Sequence, residues 1–203
     1  RTFLLPSGKA FFTGQGAGSA TAKSWLFDPV AETWVASAAT TGSRNYGSAV
    51  LLPLLPPNYS PSVMSFGGGN PATASTEIID LSAGSPAWTP GPNMSTGRIQ
   101  MNATILPDGK VLASGGSVND EKPDAPGKNA DLYDPVTQSF SSAGTASYSR
   151  LYHSTAILLP DATVLTAGSN PGSRGSYEPA IEIYTPPYLF DANDLRITQR
   201  PII

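Results

Sequence analysis

One short motif recurs four times along this chain and constrains its fold more than any other feature. The motif is an apolar stretch that runs into a proline, at residues 3–9, 49–53, 104–110 and 157–163. Successive prolines of the motif are spaced 47, 54 and 53 residues apart, at Pro6, Pro53, Pro107 and Pro160. A period of about 50 residues is typical of chains built from one repeated supersecondary unit.

Each repeat reads as a series of short strands joined by turns. A short apolar strand follows the proline motif, and the next strand ends on an acidic or aromatic residue. Pro-Asp-Gly at 107–109 supplies a tight turn, and every strand is too short to be a helix. In three repeats an aromatic residue closes the unit, at Trp34, Trp88 and Phe140. Four such strands make one antiparallel blade of a propeller.

The repeats therefore predict an all-β fold, a kelch-type β-propeller of which about four blades out of seven are present. The blades are expected near residues 1–38, 44–94, 98–144 and 150–190. The partial propeller then covers 1–190, a linker covers 191–203, and the remaining blades lie outside this chain. A β-sandwich also spaces short strands regularly, but it would not repeat one motif four times in register.

Charge and composition exclude several classes of partner. The chain has 12 Lys and Arg against 15 Asp and Glu, a net charge of -3, and no run of basic residues, so we expect no nucleic acid partner. No stretch approaches the roughly 20 apolar residues of a membrane span, so we expect no membrane partner. The absence of cysteine excludes disulfides and thiolate chemistry within these residues.

An arginine opens the first strand of three repeats, at Arg44, Arg98 and Arg150. The first strand of each propeller blade lines the central channel, so the residues after each arginine are expected to meet at one mouth. On this alignment three residues are equivalent and face one another: Tyr46, Gln100 and Tyr152. The candidate channel-lining residues are Arg44, Tyr46, Gln100 and Met101. In a structural alternative, such arginines tie neighbouring blades together through hydrogen bonds to carbonyl groups.

The fourth repeat differs from the others in its spacing. Ten residues lead from Arg150 to Pro160, whereas the second and third repeats use nine. An extra residue can disturb a strand as a bulge does and re-aim a side chain. Adjacent side chains on a regular strand point to opposite faces, so Tyr152 and His153 can reach one ion only if such an irregularity is present. Otherwise His153, the single histidine, is a packed or solvent-bonded residue.

Three segments of the fourth repeat resemble the galactose oxidase and glyoxal oxidase family, at residues 150–161, 167–171 and 184–190. The resemblance implies that Tyr152 and His153 bind copper, with Tyr152 as an axial tyrosinate that takes the substrate hydroxyl proton and His153 as an equatorial imidazole. Phenolate and neutral imidazole are suitable ligands for Cu(II). The family's cysteine–tyrosine crosslink, and a second histidine from an immunoglobulin-like domain after the propeller, are implied to lie outside this chain.

By this resemblance the chain is a segment of an extracellular copper-radical oxidase, with Tyr152 as its catalytic residue. The implied substrate is a small aldehyde, alcohol or carbohydrate, oxidised with reduction of O2 to H2O2. Because only two ligands are present, the chain by itself is expected to be inactive. The alternative is a non-catalytic kelch propeller that binds glycan or protein, or serves as a structural surface module. Copper binding by the full-length protein separates the two hypotheses.

Two smaller features complete the expectations. Asp161-Ala162 replaces the Asp-Gly of the equivalent turn in the third repeat, and alanine disfavours a left-handed residue there. Three glycosylation sequons begin at Asn58, Asn93 and Asn102, and they matter on a eukaryotic secretory route. Asn102 lies within a predicted inner strand, so we expect that sequon to be unused.

Overall fold

A computed structural model describes residues 1–14, 23–170, 172 and 176–197. Pro171, in the segment 167–171, and residues 198–203 of the predicted linker lie outside this part. The described residues form fifteen β-strands and two three-residue 3₁₀ turns, at Pro126–Lys128 and Pro187–Leu189. Among them no helix has the length and apolarity needed to cross a membrane. The all-β prediction is confirmed.

The strands form four antiparallel sheets in which each strand pairs with its neighbours in sequence. The first sheet contains β1 (Thr2–Leu4), β2 (Ala10–Thr13), β3 (Lys23–Asp28) and β4 (Thr33–Ala39). The second contains β5 (Ser48–Leu51), β6 (Ser62–Phe66), β7 (Thr76–Asp80) and β8 (Trp88–Pro90). The third contains β9 (Ile99–Ile105), β10 (Val111–Ser117), β11 (Asn129–Asp134) and β12 (Ser139–Thr145). The fourth contains β13 (Thr155–Leu158), β14 (Val164–Ala167) and β15 (Glu182–Tyr184).

Each sheet corresponds to one of the expected repeats, although β4 and β12 extend one residue past the expected limits, to Ala39 and Thr145. The fourth sheet differs from the predicted four-stranded blade, because the described residues after β14 contain only β15. Pro186 and Pro187 follow β15 closely, and proline has no N–H to donate to a strand ladder. In the other three sheets the predicted closing aromatic residues lie on the fourth strand, at Trp34, Trp88 and Phe140.

Apolar side chains fill the spaces between successive sheets. Phe11 of the first sheet packs with Val63 and Trp88 of the second. A second cluster lies between the second and third sheets and contains Met64, Val111 and Tyr133. A third lies between the third and fourth sheets and contains Leu112, Leu132 and Val164. The first strands β5, β9 and β13 are neighbours. The sheets are therefore stacked face to face in sequence order, with their first strands side by side.

The two terminal sheets each present an apolar face that has no counterpart in the middle of the stack. Trp34 occupies the place in the first sheet that Trp88 has in the second, yet Trp34 is 55% exposed and Trp88 is 7% exposed. Likewise Ile183 of the fourth sheet corresponds to Leu132 of the third, and their exposures are 51% and 6%. Trp34 and Ile183 therefore occupy positions that a neighbouring sheet buries in the other repeats.

A buried arginine–carboxylate pair recurs in the second, third and fourth repeats. The pairs are Arg44–Glu77 at 2.6 Å, Arg98–Asp131 at 2.9 Å and Arg150–Glu182 at 3.2 Å. Each arginine also donates to carbonyl groups of its own repeat; Arg98, for example, reaches those of Gly115, Gly127 and Asn129. Each arginine therefore joins the start of its repeat to the third strand of the same repeat, and the predicted ties from arginine to neighbouring blades are not the contacts observed.

The carboxylate of each pair, rather than the arginine, reaches the segment that arrives from the preceding sheet. Glu77 accepts hydrogen bonds from the amide and hydroxyl groups of Thr41, and Asp131 accepts them from those of Ser95. Glu182 accepts one from the amide of Ser147. Each connector is thus held by the same acidic side chain that neutralises the buried arginine.

The turn between β13 and β14 keeps a left-handed residue despite its alanine. Ala162 has φ 63°, and its amide donates to the Leu159 carbonyl at 2.8 Å. The equivalent Gly109 has φ 83°. Asp161 supports the turn by accepting hydrogen bonds from the amide and hydroxyl of Thr163. Alanine disfavours this conformation, as the sequence indicates, but these hydrogen bonds hold Ala162 in it.

Arg98→Ala in the full-length protein is expected to lower the free energy of unfolding by about 3–5 kcal/mol, because Asp131 stays buried without its partner. Ser95→Ala removes one hydroxyl contact with Asp131 and should cost about 1 kcal/mol. Lys110→Ala is the control, since Lys110 pairs with Asp134 on the surface at 3.6 Å and should cost less than about 1 kcal/mol. Denaturant unfolding measures all three, and equal losses for Arg98→Ala and Lys110→Ala would contradict the account.

Ala162→Gly is expected to stabilise the full-length protein by about 1 kcal/mol, because glycine adopts a left-handed conformation without the penalty that alanine carries. Gly109→Ala is the matched reverse change and should destabilise by a similar amount. Thermal unfolding midpoints should therefore move in opposite directions. A fall in the midpoint for Ala162→Gly would show that the turn gains nothing from relief of this strain.

Candidate active site

In three repeats a residue close to the start of the first strand has a left-handed backbone. These residues are Tyr46 (φ 54°), Gln100 (φ 61°) and His153 (φ 63°). The turn that contains Tyr46 is closed by Gly47 N–H donating to the Arg44 carbonyl, and the one that contains His153 by Ser154 N–H donating to that of Leu151, both at 3.0 Å. His153, rather than Tyr152, is therefore the structural equivalent of Tyr46 and Gln100, and the predicted alignment is wrong by one residue.

The extra residue of the fourth repeat explains this shift. Counted back from the turn proline, His153 has the same separation from Pro160 that Tyr46 has from Pro53. Counted forward from the arginine, Tyr152 matches Tyr46 instead. The insertion therefore lies between Arg150 and His153, and it places a second aromatic residue immediately before the left-handed position.

The strand irregularity that would let Tyr152 and His153 reach one ion is present. Residues 151–154 form a turn, and β13 begins only at Thr155. The rings of Tyr152 and His153 have centroids 3.8 Å apart and are inclined by 31°. Adjacent side chains of a regular strand would point to opposite faces. The turn thus brings the two rings to the same side of the chain.

Three hydrogen bonds from other segments hold this turn. Leu151 N–H donates to Ser169 Oγ at 2.8 Å, and Asn170 N–H donates to the Tyr152 carbonyl at 2.9 Å. Asn102 Nδ2 donates to Ser154 Oγ at 3.0 Å, from strand β9 of the third sheet. The positions of Tyr152 and His153 therefore depend on two neighbouring sheets.

An open depression of about 180 Å³ lies over these rings. The Tyr46 ring approaches that of Tyr152 edge to face, with centroids 6.3 Å apart, and Gln100 N–H donates to the Tyr46 carbonyl at 2.7 Å. His153 is exposed and Tyr152 is half-buried. The lining residues are Arg1, Tyr46, Gln100, Met101, Asn102, Leu151, Tyr152, His153 and Ser154.

The four channel-lining candidates have different environments. Tyr46 and Gln100 border the depression, and the Gln100 amide nitrogen donates to Asp120 Oδ1. Met101 also borders it, but its side chain is 4% exposed and packs in the cluster between the second and third sheets. Arg44 does not border it, because its guanidinium is occupied by Glu77 and by backbone carbonyls. Arg44 contacts Glu77 and carbonyl groups of its own repeat, so these contacts are neither a tie to a neighbouring blade nor a role towards substrate.

Sequence reasoning did not identify three residues of this region. Arg1 borders the depression and donates to the Gly47 carbonyl at 2.6 Å, and Asn102 was considered only as a sequon. Ser169 was not considered, although a signal was available: it stands where the second and third repeats have Gly68 and Gly116. That replacement occurs in the same repeat as the insertion.

The donor chemistry of the site fits copper in part. A phenol and an imidazole from adjacent residues lie on one side of an open turn, and both are ligands that Cu(II) accepts. The described residues contain no group of three or more His, Asp and Glu side chains able to hold a metal ion. Tyr152 and His153 could thus supply two ligands of a copper site, and further ligands have to come from elsewhere.

Comparisons with known proteins show which family the chain belongs to. Residues 3–188 match the family model described as glyoxal oxidase N-terminus. The chain is 35% identical over 190 residues to the aldehyde oxidase GLOX of Vitis pseudoreticulata, which covers 80% of this chain and 35% of that protein. It is 28% identical over 154 residues to galactose oxidase of Gibberella zeae, which covers 70% of this chain and 22% of that protein.

A solved structure has the same fold. It is a novel fungal alcohol oxidase with catalytic diversity among the AA5 family, in complex with copper, and it matches with a TM-score of 0.69 and 23% identity. The match covers 100% of this chain and 55% of that one. The chain therefore belongs to the glyoxal oxidase family of copper-radical oxidases, which confirms the family predicted by resemblance. It spans about a third of the length of its Vitis relative.

Proposed function

We propose that this chain is part of an extracellular copper-radical oxidase that oxidises a small aldehyde or primary alcohol and reduces O2 to H2O2. The observation that carries the proposal is the inserted turn, which brings Tyr152 and His153 to one side at an open depression. Family membership is needed to interpret this pair as copper ligands, because a tyrosine–histidine contact by itself is common in protein structures. The finer points concern the ring of blades, the ligands and the substrate.

The four sheets are proposed to be successive blades of a seven-bladed kelch propeller. Their face-to-face stacking in sequence order and their adjacent first strands are the arrangement that radial repetition gives. The exposed positions Trp34 and Ile183 support further blades, because the same positions are covered wherever a neighbouring sheet exists. The domain limits proposed are 1–190 for the partial propeller and 191–203 for a linker to an immunoglobulin-like domain.

Tyr152 and His153 are proposed as two of the copper ligands. The redox chemistry is supplied by the copper ion together with a cysteine–tyrosine crosslink, which has to lie outside this chain because the chain has no cysteine. A further histidine is also required from outside. The site of this chain is therefore incomplete, and residues 1–203 alone should show no oxidase activity.

The part of the chemistry assigned to these residues is a proton transfer. On binding copper, Tyr152 would lose its phenol proton, and the resulting phenolate Oη could then accept the proton of the substrate hydroxyl group. His153 would keep its neutral imidazole nitrogen available as a ligand. Conversion of a primary alcohol to an aldehyde releases two electrons and two protons, and these reduce one O2 to one H2O2. Tyr46 and Gln100 border the space above Tyr152, where a small aldehyde, alcohol or carbohydrate can enter.

A secreted location is consistent with the exposed sequons. Asn58 and Asn93 are exposed, so both side chains can carry a glycan. Asn102 lies within β9 and its amide nitrogen is bonded to Ser154 Oγ, so we expect no glycan there. Glycan attached at Asn58 and Asn93 of the protein isolated from its natural source would support this location.

The oxidase proposal is tested on the full-length protein loaded with copper and oxidised. The wild-type protein should bind one copper ion per chain and release H2O2 from a primary alcohol or an aldehyde. His153→Asn should lose stoichiometric copper; asparagine is chosen because it tolerates the left-handed backbone of His153. Tyr152→Phe should lower kcat by about 10²–10⁴-fold, the usual value for loss of a positioned base.

Tyr59→Phe is the matched control, since Tyr59 is an exposed tyrosine outside the site. It should keep wild-type copper content and kcat. A wild-type protein with neither copper nor H2O2 release would instead favour a non-catalytic kelch propeller that binds glycan or protein.

A further inference from the structure

A serine in the fourth repeat replaces a glycine that the other repeats require. The arginine of each repeat donates to the carbonyl of Gly67, Gly115 or Gly168, so these residues are equivalent. The next residues are Gly68, Gly116 and Ser169. Among these three repeats, only the fourth carries a side chain there.

The glycines of the second and third repeats have no room for a side chain. A Cβ atom on Gly68 would lie 2.5 Å from the carbonyl carbon of Arg44, and one on Gly116 would lie 2.8 Å from the Ile99 oxygen. Both distances are shorter than folded proteins allow. Ser169 has a different backbone, with φ 154° against 87° and 81° for the glycines. The repeat with the inserted residue is thus also the repeat whose backbone differs at this position, just after β14.

The hydroxyl group of Ser169 accepts a hydrogen bond from a buried backbone amide of the inserted turn. Leu151 is 1% exposed, so its amide has no access to water and needs an acceptor inside the protein. Ser169 Oγ lies 2.8 Å from that amide, and Ser169 itself is 3% exposed. This hydrogen bond is made at the residue directly before Tyr152. No backbone carbonyl competes for the Leu151 amide among the described hydrogen bonds.

We infer that Ser169 is a positioning residue for Tyr152 and His153. Its hydroxyl oxygen accepts a hydrogen bond from the Leu151 amide and so holds the inserted turn. The rings of Tyr152 and His153 then stay on the same side of the chain, as a pair of ligands. Ser169 itself touches neither substrate nor metal in this role. The inference rests on the proposed copper function for its purpose, but the hydrogen bond can be tested without copper.

The test uses the full-length protein and four variants. Ser169→Ala removes the acceptor and keeps the Cβ atom, Ser169→Thr keeps the hydroxyl group, and Ser169→Cys has a weak sulfur acceptor of similar size. Ser24→Ala is the matched control, because Ser24 is 1% exposed and its Oγ accepts the Trp88 indole N–H at 3.1 Å, away from the site. Two quantities are measured: amide hydrogen exchange at residues 150–155 in metal-free protein, and Cu(II) affinity by chelator competition with the copper spectrum.

Ser169→Ala should speed exchange of the Leu151 amide at least about tenfold and weaken Cu(II) binding by about 10–100-fold, as is typical for residues that orient metal ligands. Ser169→Thr should keep the exchange rate and the Cu(II) affinity within about threefold of wild type. Ser169→Cys should give values between those of Ser169→Ala and Ser169→Thr. Ser24→Ala should lower the unfolding midpoint but leave exchange at 150–155 and the copper spectrum unchanged.

Wild-type exchange and affinity in Ser169→Ala would overturn the inference, as would an equal loss of affinity in Ser24→Ala. If Ser169→Ala does not accumulate, wild-type values in Ser169→Cys have the same meaning. A wild-type protein that binds no copper overturns the proposed function instead. Leu151 exchange then decides alone whether Ser169 holds the turn.

Discussion

The buried arginine–carboxylate pair is the interaction on which the rest of the structure depends. In the third repeat Arg98 has no exposed surface, and its charge is balanced by Asp131 and by carbonyl groups of the same repeat. The partners of each such pair are 32 or 33 residues apart in sequence, so the pair joins the start of a repeat to its third strand. The carboxylate also holds the connector from the preceding sheet. A buried charge left unpaired is costly, so these contacts fix how each sheet joins the next.

The candidate site is a local departure from this regular framework. Arg150 keeps its place in the fourth repeat, bonded to the Gly168 carbonyl and to Glu182. The strand that follows also keeps its register, because Leu158 pairs with Val164 next to the turn. With both ends fixed, the one extra residue has to be accommodated between them. The result is the turn that places Tyr152 beside His153. Because the residues on both sides keep their regular positions, the structural change stays within this turn.

Much of the fold could be predicted from the sequence, because period and turn chemistry are repeated four times. The number and type of sheets followed from the proline motifs, and the spacing of the fourth repeat correctly indicated an irregularity at Tyr152 and His153. The alignment of Tyr152 with Tyr46 was wrong because an insertion can be counted from either end, and only backbone conformation locates it. Ala162 kept its left-handed conformation because neighbouring hydrogen bonds outweigh the preference of a single residue.

Other features depend on contacts distant in sequence. The position of Met101 on a first strand was foreseeable, but its packing between two sheets was not. Arg44 lies before β5 rather than on it, and its partner Glu77 is 33 residues away. The role of Ser169 depends on both the serine and the inserted residue of the same repeat, and neither indicates that role alone. Sequence periodicity thus predicts elements and their order, whereas side-chain partners depend on how the sheets stack.

The central claim is that the inserted turn makes Tyr152 and His153 a pair of copper ligands. The most direct measurement is a crystal structure of the copper-loaded full-length protein, with anomalous diffraction recorded on both sides of the copper absorption edge. The account predicts one strong copper peak within bonding distance of Tyr152 Oη and of an imidazole nitrogen of His153. A copper peak bound to other residues, or no peak beside this turn, would contradict it.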